Sequence, residues 1–214
     1  MSEDLGDCVF LVADGTMEHV LRGLLRRPDF LETFSIGDFK PTILVEREGN
    51  DPGVFRRGAD LLKPYSFTHR QAVLMLDAAW EGAPKPRVIR DKLRRRMETT
   101  WPAESFEVVV LVPELEVWIW QDDPSIERVV GFNRERGVQS LRSWLEANGW
   151  WPARQTKPPD PKGALKWALR HTKVHFSSAL HLDVARHAPF HRCQDPAFRL
   201  LVQTLQRWYP QQGA

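Results

Sequence analysis

Short apolar runs alternate with helix-like patterns over the first 123 residues. Largely apolar runs at residues 8–13, 42–45, 72–76 and 106–112, broken only by Thr42 and Glu107, predict four buried strands. Between the first two strands, apolar residues share one helical face, at Met17, Val20, Leu21, Leu24 and Leu25. Strands that alternate with helices build parallel sheets, and wholly apolar strands fit a sheet covered on both faces. The pattern predicts an α/β fold with a mostly parallel four-stranded sheet and flanking helices.

Local signals refine this picture. Thr16 is the predicted cap of the first helix, and the Gly- and Asp-rich residues 48–53 are expected to form a loop. Residues 54–62 and 86–97 show helical spacing.

The remaining residues indicate a mostly helical part. Residues 138–145 and 164–169 show helical faces, separated by a Pro-rich segment. Asp195 followed by Pro196 is a strong helix start, with Asp as the cap and Pro at the first position. We expect a core domain over residues 1–123 and a helical subdomain over residues 124–214, packed on the core.

Charge divides along the same boundary. The chain of 214 residues carries 30 Lys and Arg against 28 Asp and Glu, a net of +2. Residues 1–123 hold 16 basic and 22 acidic groups, and residues 124–214 hold 14 and 6, which gives −6 and +8. One interpretation is two differently charged surfaces of one protein. The other is an acidic site for a cation beside a basic surface for a polyanion.

The chain shows no signal for export or membrane insertion. Its two cysteines lie near opposite ends, its first residues are acidic, and no apolar run approaches the roughly 20 residues that span a bilayer. We expect a cytoplasmic protein with no membrane partner. Motifs typical of P-loop ATPases, Rossmann oxidoreductases and α/β-hydrolases are absent.

Acidic residues follow three of the predicted strands. They are Asp14 and Glu18 after the first strand, Asp77 after the third, and Glu114 and Glu116 after the fourth. Ligands of open parallel sheets bind beyond the carboxyl ends of the strands, so these side chains are expected to converge. A divalent cation with oxygen ligands would relieve their mutual repulsion. The alternative is that each carboxylate has an ordinary structural role, at a strand end or as a helix cap.

These residues carry a family resemblance. Phe-Leu-Val-Ala-Asp-Gly-Thr-Met-Glu at residues 10–18 resembles the opening motif of TOPRIM-like proteins, and residues 72–77 resemble their Asp-bearing strand. Pro-Glu-Leu-Glu-Val-Trp at residues 113–118 is similar to the signature of a branch related to overcoming-lysogenization-defect (OLD) nucleases, which often accompanies phage-defence genes. The segment around Lys173 and residues 195–199 also resemble that branch.

The resemblance implies a TOPRIM-like, Rossmann-like fold. It also implies a nuclease or phosphotransfer protein that uses Mg²⁺, or Mn²⁺, on DNA or RNA. It assigns the catalytic and metal-binding roles to the five acidic residues above, with Asp14 or Glu18 as general base. Two positions depart from the family pattern. Asp14 stands where Glu is usual, and Ala79 stands where a second Asp is usual, with Glu81 as its nearest substitute.

Basic residues are the predicted nucleic-acid contacts. Arg94 and Arg95 lie in a run of charged residues on a predicted helix. The alternative is that this run is only a helix face exposed to solvent, as most such runs are. Lys166, Arg170 and Lys173 lie near Trp150, Trp151 and Trp167 in the sequence. Cations for phosphates and aromatic rings for bases are the parts of a single-strand groove, although such Trp residues more often pack a core.

The sequence supports three functional hypotheses. The first is a metal-dependent nuclease or phosphotransfer protein of a prokaryotic anti-phage defence system. The second is a catalytically degenerate TOPRIM-like protein that binds nucleic acid or a partner protein of a defence complex. The third is an interaction module whose acidic and basic faces bind different partners.

Overall fold

The computed structural model describes residues 5–121, 123–132 and 139–211. A four-stranded sheet lies at its centre, all its pairings are parallel, and the strand order is β2-β1-β3-β4. The strands are β1 (Gly6–Val12), β2 (Pro41–Val45), β3 (His69–Asp77) and β4 (Phe106–Leu111). This architecture confirms the predicted α/β, Rossmann-like fold with helices around the sheet.

Helices make up most of the rest of the described chain. They are α1 (Gly15–Leu25), α2 (Pro28–Thr33), α3 (Asn50–Leu62), α4 (Pro86–Met97), α5 (Pro124–Val129), α6 (Leu141–Ala147), α7 (Pro161–Thr172), α8 (Ser178–His187) and α9 (Pro196–Trp208). Short 3₁₀ helices cover Lys63–Phe67, Leu115–Trp118 and Phe190–Arg192. The helices after β4 confirm the mostly helical second part.

The sheet is buried between two helical layers. Helices α3 and α4 pack together and against β3 and β4, while α1 packs on β1 and β2. Val9, Phe10 and Val12 of β1 are fully buried. Their side chains point alternately to the two faces of the sheet, so an apolar residue is needed at every position.

The strand order places a crevice above the middle of the sheet. From β1 the chain turns towards β2 at one side, and from β3 it turns towards β4 at the other. The carboxyl ends of β1 and β3 therefore flank the point where the winding direction reverses. In open α/β sheets this point is the usual ligand site.

The second part of the chain packs closely on the first. A Cβ added to Gly23 of α1 would lie 2.6 Å from the Cβ of Ala185, so the glycine is needed for α8 to approach α1. The buried Trp118 donates its indole Nε1–H to Asp195 Oδ1 at 2.9 Å and meets the Phe198 ring edge-on. Contacts thus cross residue 123, and the division there into two domains stays a prediction.

Local details confirm some expectations and correct others. Asp195 caps α9, with Pro196 at its first position, as predicted. The cap of α1 is Asp14, which accepts from the Met17 amide, and Thr16 lies inside the helix. Helix α3 already begins at Asn50, so four of the six residues of the predicted loop at 48–53 are helical. Residue 138 of a predicted helical face lies outside the described residues. None of the described helices is long and apolar enough to cross a membrane.

Candidate metal centre

Three carboxylates meet at the carboxyl edge of the sheet. Asp77 is the last residue of β3. Glu114 caps the 3₁₀ turn Leu115–Trp118 that follows β4, and Glu116 lies in that turn. One oxygen from each side chain lies within 4.8 Å of the other two. The Leu115 amide donates to Asp77 Oδ1 at 2.9 Å and so fixes this turn beside the end of β3. The strand-end prediction is confirmed for the convergence of these three residues, which we call the acidic cluster.

Asp77 lies in surroundings that disfavour its charge. The side chain is only 6% exposed. Burial, followed by the neighbouring carboxylates of Asp51 and Glu116, raises its pKa well above the ordinary value. Its own backbone N–H donates to Asp51 Oδ1 at 2.7 Å, which brings a fourth carboxylate close to the acidic cluster. Burial also raises the pKa of Asp51.

Lys162 supplies the positive charge of the site. Its Nζ lies 3.1 Å from Glu114 Oε2 and 3.6 Å from Glu116 Oε2. Its backbone N–H donates to Glu114 Oε1 at 3.0 Å, so Glu114 also holds the start of α7. Burial opposes the charge of the ammonium group, but Glu116 and Glu114 outweigh that effect and raise the pKa of Lys162. The lysine therefore stays protonated at neutral pH.

Glu116 is the most deeply buried member, with 1% of its surface exposed. Its Oε1 lies 3.4 Å from His181 Nε2, and the His181 Nδ1 lies 2.9 Å from the Ser177 carbonyl oxygen. Burial alone would raise the pKa of Glu116, but His181 and Lys162 together hold it below the ordinary value. Within the part of the chain that the structure describes, Glu116 Oε2 has no hydrogen-bond partner.

A cavity of about 240 Å³ lies beside the acidic cluster and Lys162. Asp14, Asp77, Glu116, Lys162 and Lys166 are among its lining residues. Asp14 Oδ1 accepts from the Met17 amide at 2.9 Å, which anchors this carboxylate at the wall. The cavity lies where β1 and β3 end, at the reversal of the winding direction.

Other predicted acidic residues lie away from the cavity. Glu18 is not one of its lining residues and forms an ion pair with Arg22 on α1, with 2.8 Å between Arg22 Nη2 and Glu18 Oε1. Glu81, the expected substitute at the broken motif, is exposed in the turn after β3 and does not line the cavity.

The predicted basic residues divide into two groups. Lys166, Arg170 and Lys173 are exposed and line a second cavity next to the first. Arg94 donates to Glu107 Oε1 at 2.9 Å and covers the Phe106 ring, and the exposed Arg95 lies on the same helix. Nucleic-acid contacts at Arg94 and Arg95 stay predictions.

The tryptophans named with these cations mostly pack the interior. Trp151 is 2% exposed and meets the Trp120 ring edge-on. Trp150 and Trp167 are half-buried, and Trp167 stacks on Trp144 with 4.1 Å between ring centroids. Their contacts favour the packing interpretation.

Sequence reasoning missed three residues of the site. Asp51 follows β2 and obeys the strand-end rule, but its Gly- and Asp-rich surroundings suggested a loop. Lys162 and His181 carried no signal in the sequence beyond their residue types. The last two reach the acidic cluster through helix packing, which a single sequence does not display.

Comparisons with family models, curated proteins and solved structures found no match to this chain. The TOPRIM resemblance thus stands on the short motifs quoted above.

Proposed function

We propose that this chain is a TOPRIM-like, divalent-metal-dependent nuclease or phosphotransfer protein that cleaves or rejoins nucleic-acid phosphodiesters. The observation that carries this proposal is the acidic cluster, in which the buried Glu116 Oε2 accepts no hydrogen bond from the described residues and has the Lys162 ammonium group only at 3.6 Å. A buried carboxylate oxygen that accepts no hydrogen bond is costly, and a cation bound directly in the cluster would satisfy it.

The residues present fit a hard divalent cation. Asp77, Glu114 and Glu116 offer only oxygen ligands, which Mg²⁺ and Mn²⁺ prefer. When bound, such an ion would neutralise charge on a phosphate and lower the pKa of a coordinated water. Because the pKa of Asp77 is raised, protons compete with the ion, so affinity should increase with pH.

The other residues of the cavity would act on the substrate directly. The Lys162 ammonium group is positioned to pair with a non-bridging phosphate oxygen, in exchange for part of its contact with Glu114. Asp14 has one oxygen engaged by the Met17 amide, which leaves Oδ2 to accept a proton from an attacking water. We propose Asp14, rather than Glu18, as the general base.

The biological setting is proposed from the resemblance. Proteins with the Pro-Glu-x-Glu-x-Trp signature often occur beside phage-defence genes, so we propose that this chain belongs to a prokaryotic anti-phage system. DNA and RNA are both substrates to test.

A cleavage assay tests the proposal. Purified protein is incubated with Mg²⁺ or Mn²⁺ and with single- and double-stranded DNA and RNA. We expect metal-dependent cleavage that Asp77→Asn and Glu116→Gln each reduce by about 100-fold or more, since loss of outer-shell partners alone costs about 10–100-fold. Glu98→Gln, an exposed change at the end of α4, is the matched control. Absence of cleavage on all four substrates, or full activity of Asp77→Asn, would reject the proposal.

One observation favours a second candidate function. The Lys162 ammonium group already lies against Glu114 and Glu116, and this internal cation can replace a metal ion. The departures from the family pattern at Asp14 and Ala79 also favour a protein without catalytic activity. On this alternative, the chain is a catalytically degenerate protein that binds nucleic acid or a partner of a defence complex. Unchanged stability on adding Mn²⁺, together with salt-dependent binding of nucleic acid or a co-purified partner, would favour it.

A further inference from the structure

A second cavity, of about 550 Å³, lies beside the first. Its lining includes Lys166, Arg170, Lys173, His175 and Phe176. Lys166 and Phe176 line both cavities, so the two form one continuous depression that ends at the acidic cluster. We call this second cavity the basic cleft.

Within the described ranges, the cations of the basic cleft have no acidic partners. Among the residues the structure describes, none of Lys166, Arg170 and Lys173 forms an ion pair, and the cleft lining contains no carboxylate. The first two lie one turn apart on α7, and Lys173 follows as its C-cap with a φ of 59°. Seven residues of helix span about 10 Å. Unpaired cations spread over that length suit an extended polyanion better than a single phosphate.

Phe176 adds an aromatic surface where the two cavities meet. The residue is 40% exposed, and the Lys166 Nζ lies over its ring, 5.5 Å from the centroid. The His181 ring contacts it edge-on, with 5.0 Å between centroids, and so supports it from the buried side. An exposed, supported ring beside phosphate-binding cations is the arrangement by which proteins stack unpaired bases.

We infer that the basic cleft binds single-stranded nucleic acid and leads its backbone to the acidic cluster. Backbone phosphates contact Lys166, Arg170 and Lys173, and one base stacks on Phe176. An unpaired base is required for that stacking. The role of the cleft as a substrate path rests on the proposed function, whereas the binding itself does not.

Binding to labelled oligonucleotides in EDTA tests the inference without any metal chemistry. Oligo-dT and oligo-U are compared with a mixed-sequence duplex of equal length by fluorescence anisotropy. We expect the single strands to bind at least about 10-fold more tightly, in keeping with stacking worth about 1–3 kcal/mol per base. Three phosphate contacts predict a slope near −2 for log K against log salt, at about −0.7 per phosphate.

Variants separate the two parts of the cleft. Lys166→Ala, Arg170→Ala or Lys173→Ala should each make the salt slope less steep by about 0.7. Phe176→Leu should weaken single-strand binding by about 5-fold or more with an unchanged slope, and Phe176→Tyr should retain it. Arg87→Ala, at a side chain 92% exposed on α4, and Phe67→Leu, 76% exposed, are the controls.

The outcomes distinguish this inference from the proposed function. Equal or tighter binding of the duplex, or Phe176→Leu binding like the wild type, would overturn the inference even if the protein binds metal and cleaves. Single-strand binding with the expected slopes would support the cleft even if cleavage is never seen. Tighter binding of oligo-dT would identify DNA, and tighter binding of oligo-U would identify RNA, as the nucleic acid that the cleft accepts. Either result supports the inference.

Discussion

Replacing Lys162 by methionine removes the ammonium group from the acidic cluster and keeps an unbranched side chain. Glu114 then loses its ion pair, and Glu116, at 1% exposure, keeps only the contact with His181. Breaking a fully buried ion pair costs about 3–5 kcal/mol. Because the Lys162 side chain is 33% exposed, we expect a smaller loss of unfolding free energy, about 2 kcal/mol, in metal-free buffer.

A divalent ion should reverse this loss. If Asp77, Glu114 and Glu116 bind Mn²⁺, an ion concentration about 100 times the dissociation constant stabilises the fold by about 2.7 kcal/mol. Mn²⁺ should raise the free energy of unfolding of Lys162→Met more than that of the wild type, since no ammonium group then competes with the ion for Glu114 and Glu116. Urea unfolding in EDTA and in Mn²⁺, followed by circular dichroism, measures both effects.

A matched control and a clear refutation accompany this experiment. Lys63→Met changes an exposed lysine at the end of α3 and should alter stability by less than about 0.5 kcal/mol in either buffer. The electrostatic account would be refuted if Lys162→Met were as stable as the wild type in EDTA. The metal account would be refuted if Mn²⁺ stabilised neither protein.

Three further substitutions test the site and its supports. In EDTA, Asp77→Asn should be more stable than the wild type at pH 8, because the raised pKa of Asp77 means that folding disfavours its charged form. This gain in stability should vanish as the pH falls towards about 4, where the carboxyl group is protonated in the unfolded chain as well. Lower stability of Asp77→Asn at pH 8 would contradict this prediction. Gly23→Ala should lower the free energy of unfolding in urea by about 1–3 kcal/mol, because its Cβ would lie 2.6 Å from that of Ala185. An unchanged unfolding midpoint would mean that α8 can move away from α1 without loss of stability. Trp118→Phe should cost about 1–3 kcal/mol, since it removes the donor to Asp195 Oδ1, and a neutral result would show that the bond adds no stability.

The parts of the fold that depend on local pattern were predictable. Residues 86–97 combine a proline start with apolar helical spacing, and α4 covers Pro86–Met97. Parallel strands end at one edge of a sheet, which is why Asp77, Glu114 and Glu116 converge as expected. No long-range information is needed for either result.

The parts that depend on packing were not predictable. Glu18 follows Asp14 by one helical turn, yet its carboxylate pairs with Arg22, a choice between rotamers that spacing does not reveal. Lys162 reaches the acidic cluster because Glu114 accepts the first free N–H of α7, a contact across 48 residues of chain. His181 depends in turn on how closely α8 packs against α1.

A crystal structure with Mn²⁺ tests the central claim most directly, since the metal is visible by its anomalous scattering. We predict an anomalous peak within about 2.0–2.6 Å of oxygens from Asp77, Glu114 and Glu116, with the Lys162 Nζ displaced from Glu116. No peak at the acidic cluster, with Lys162 still in contact with Glu114 and Glu116, would contradict the account and leave the internal ammonium group as the cation of this site.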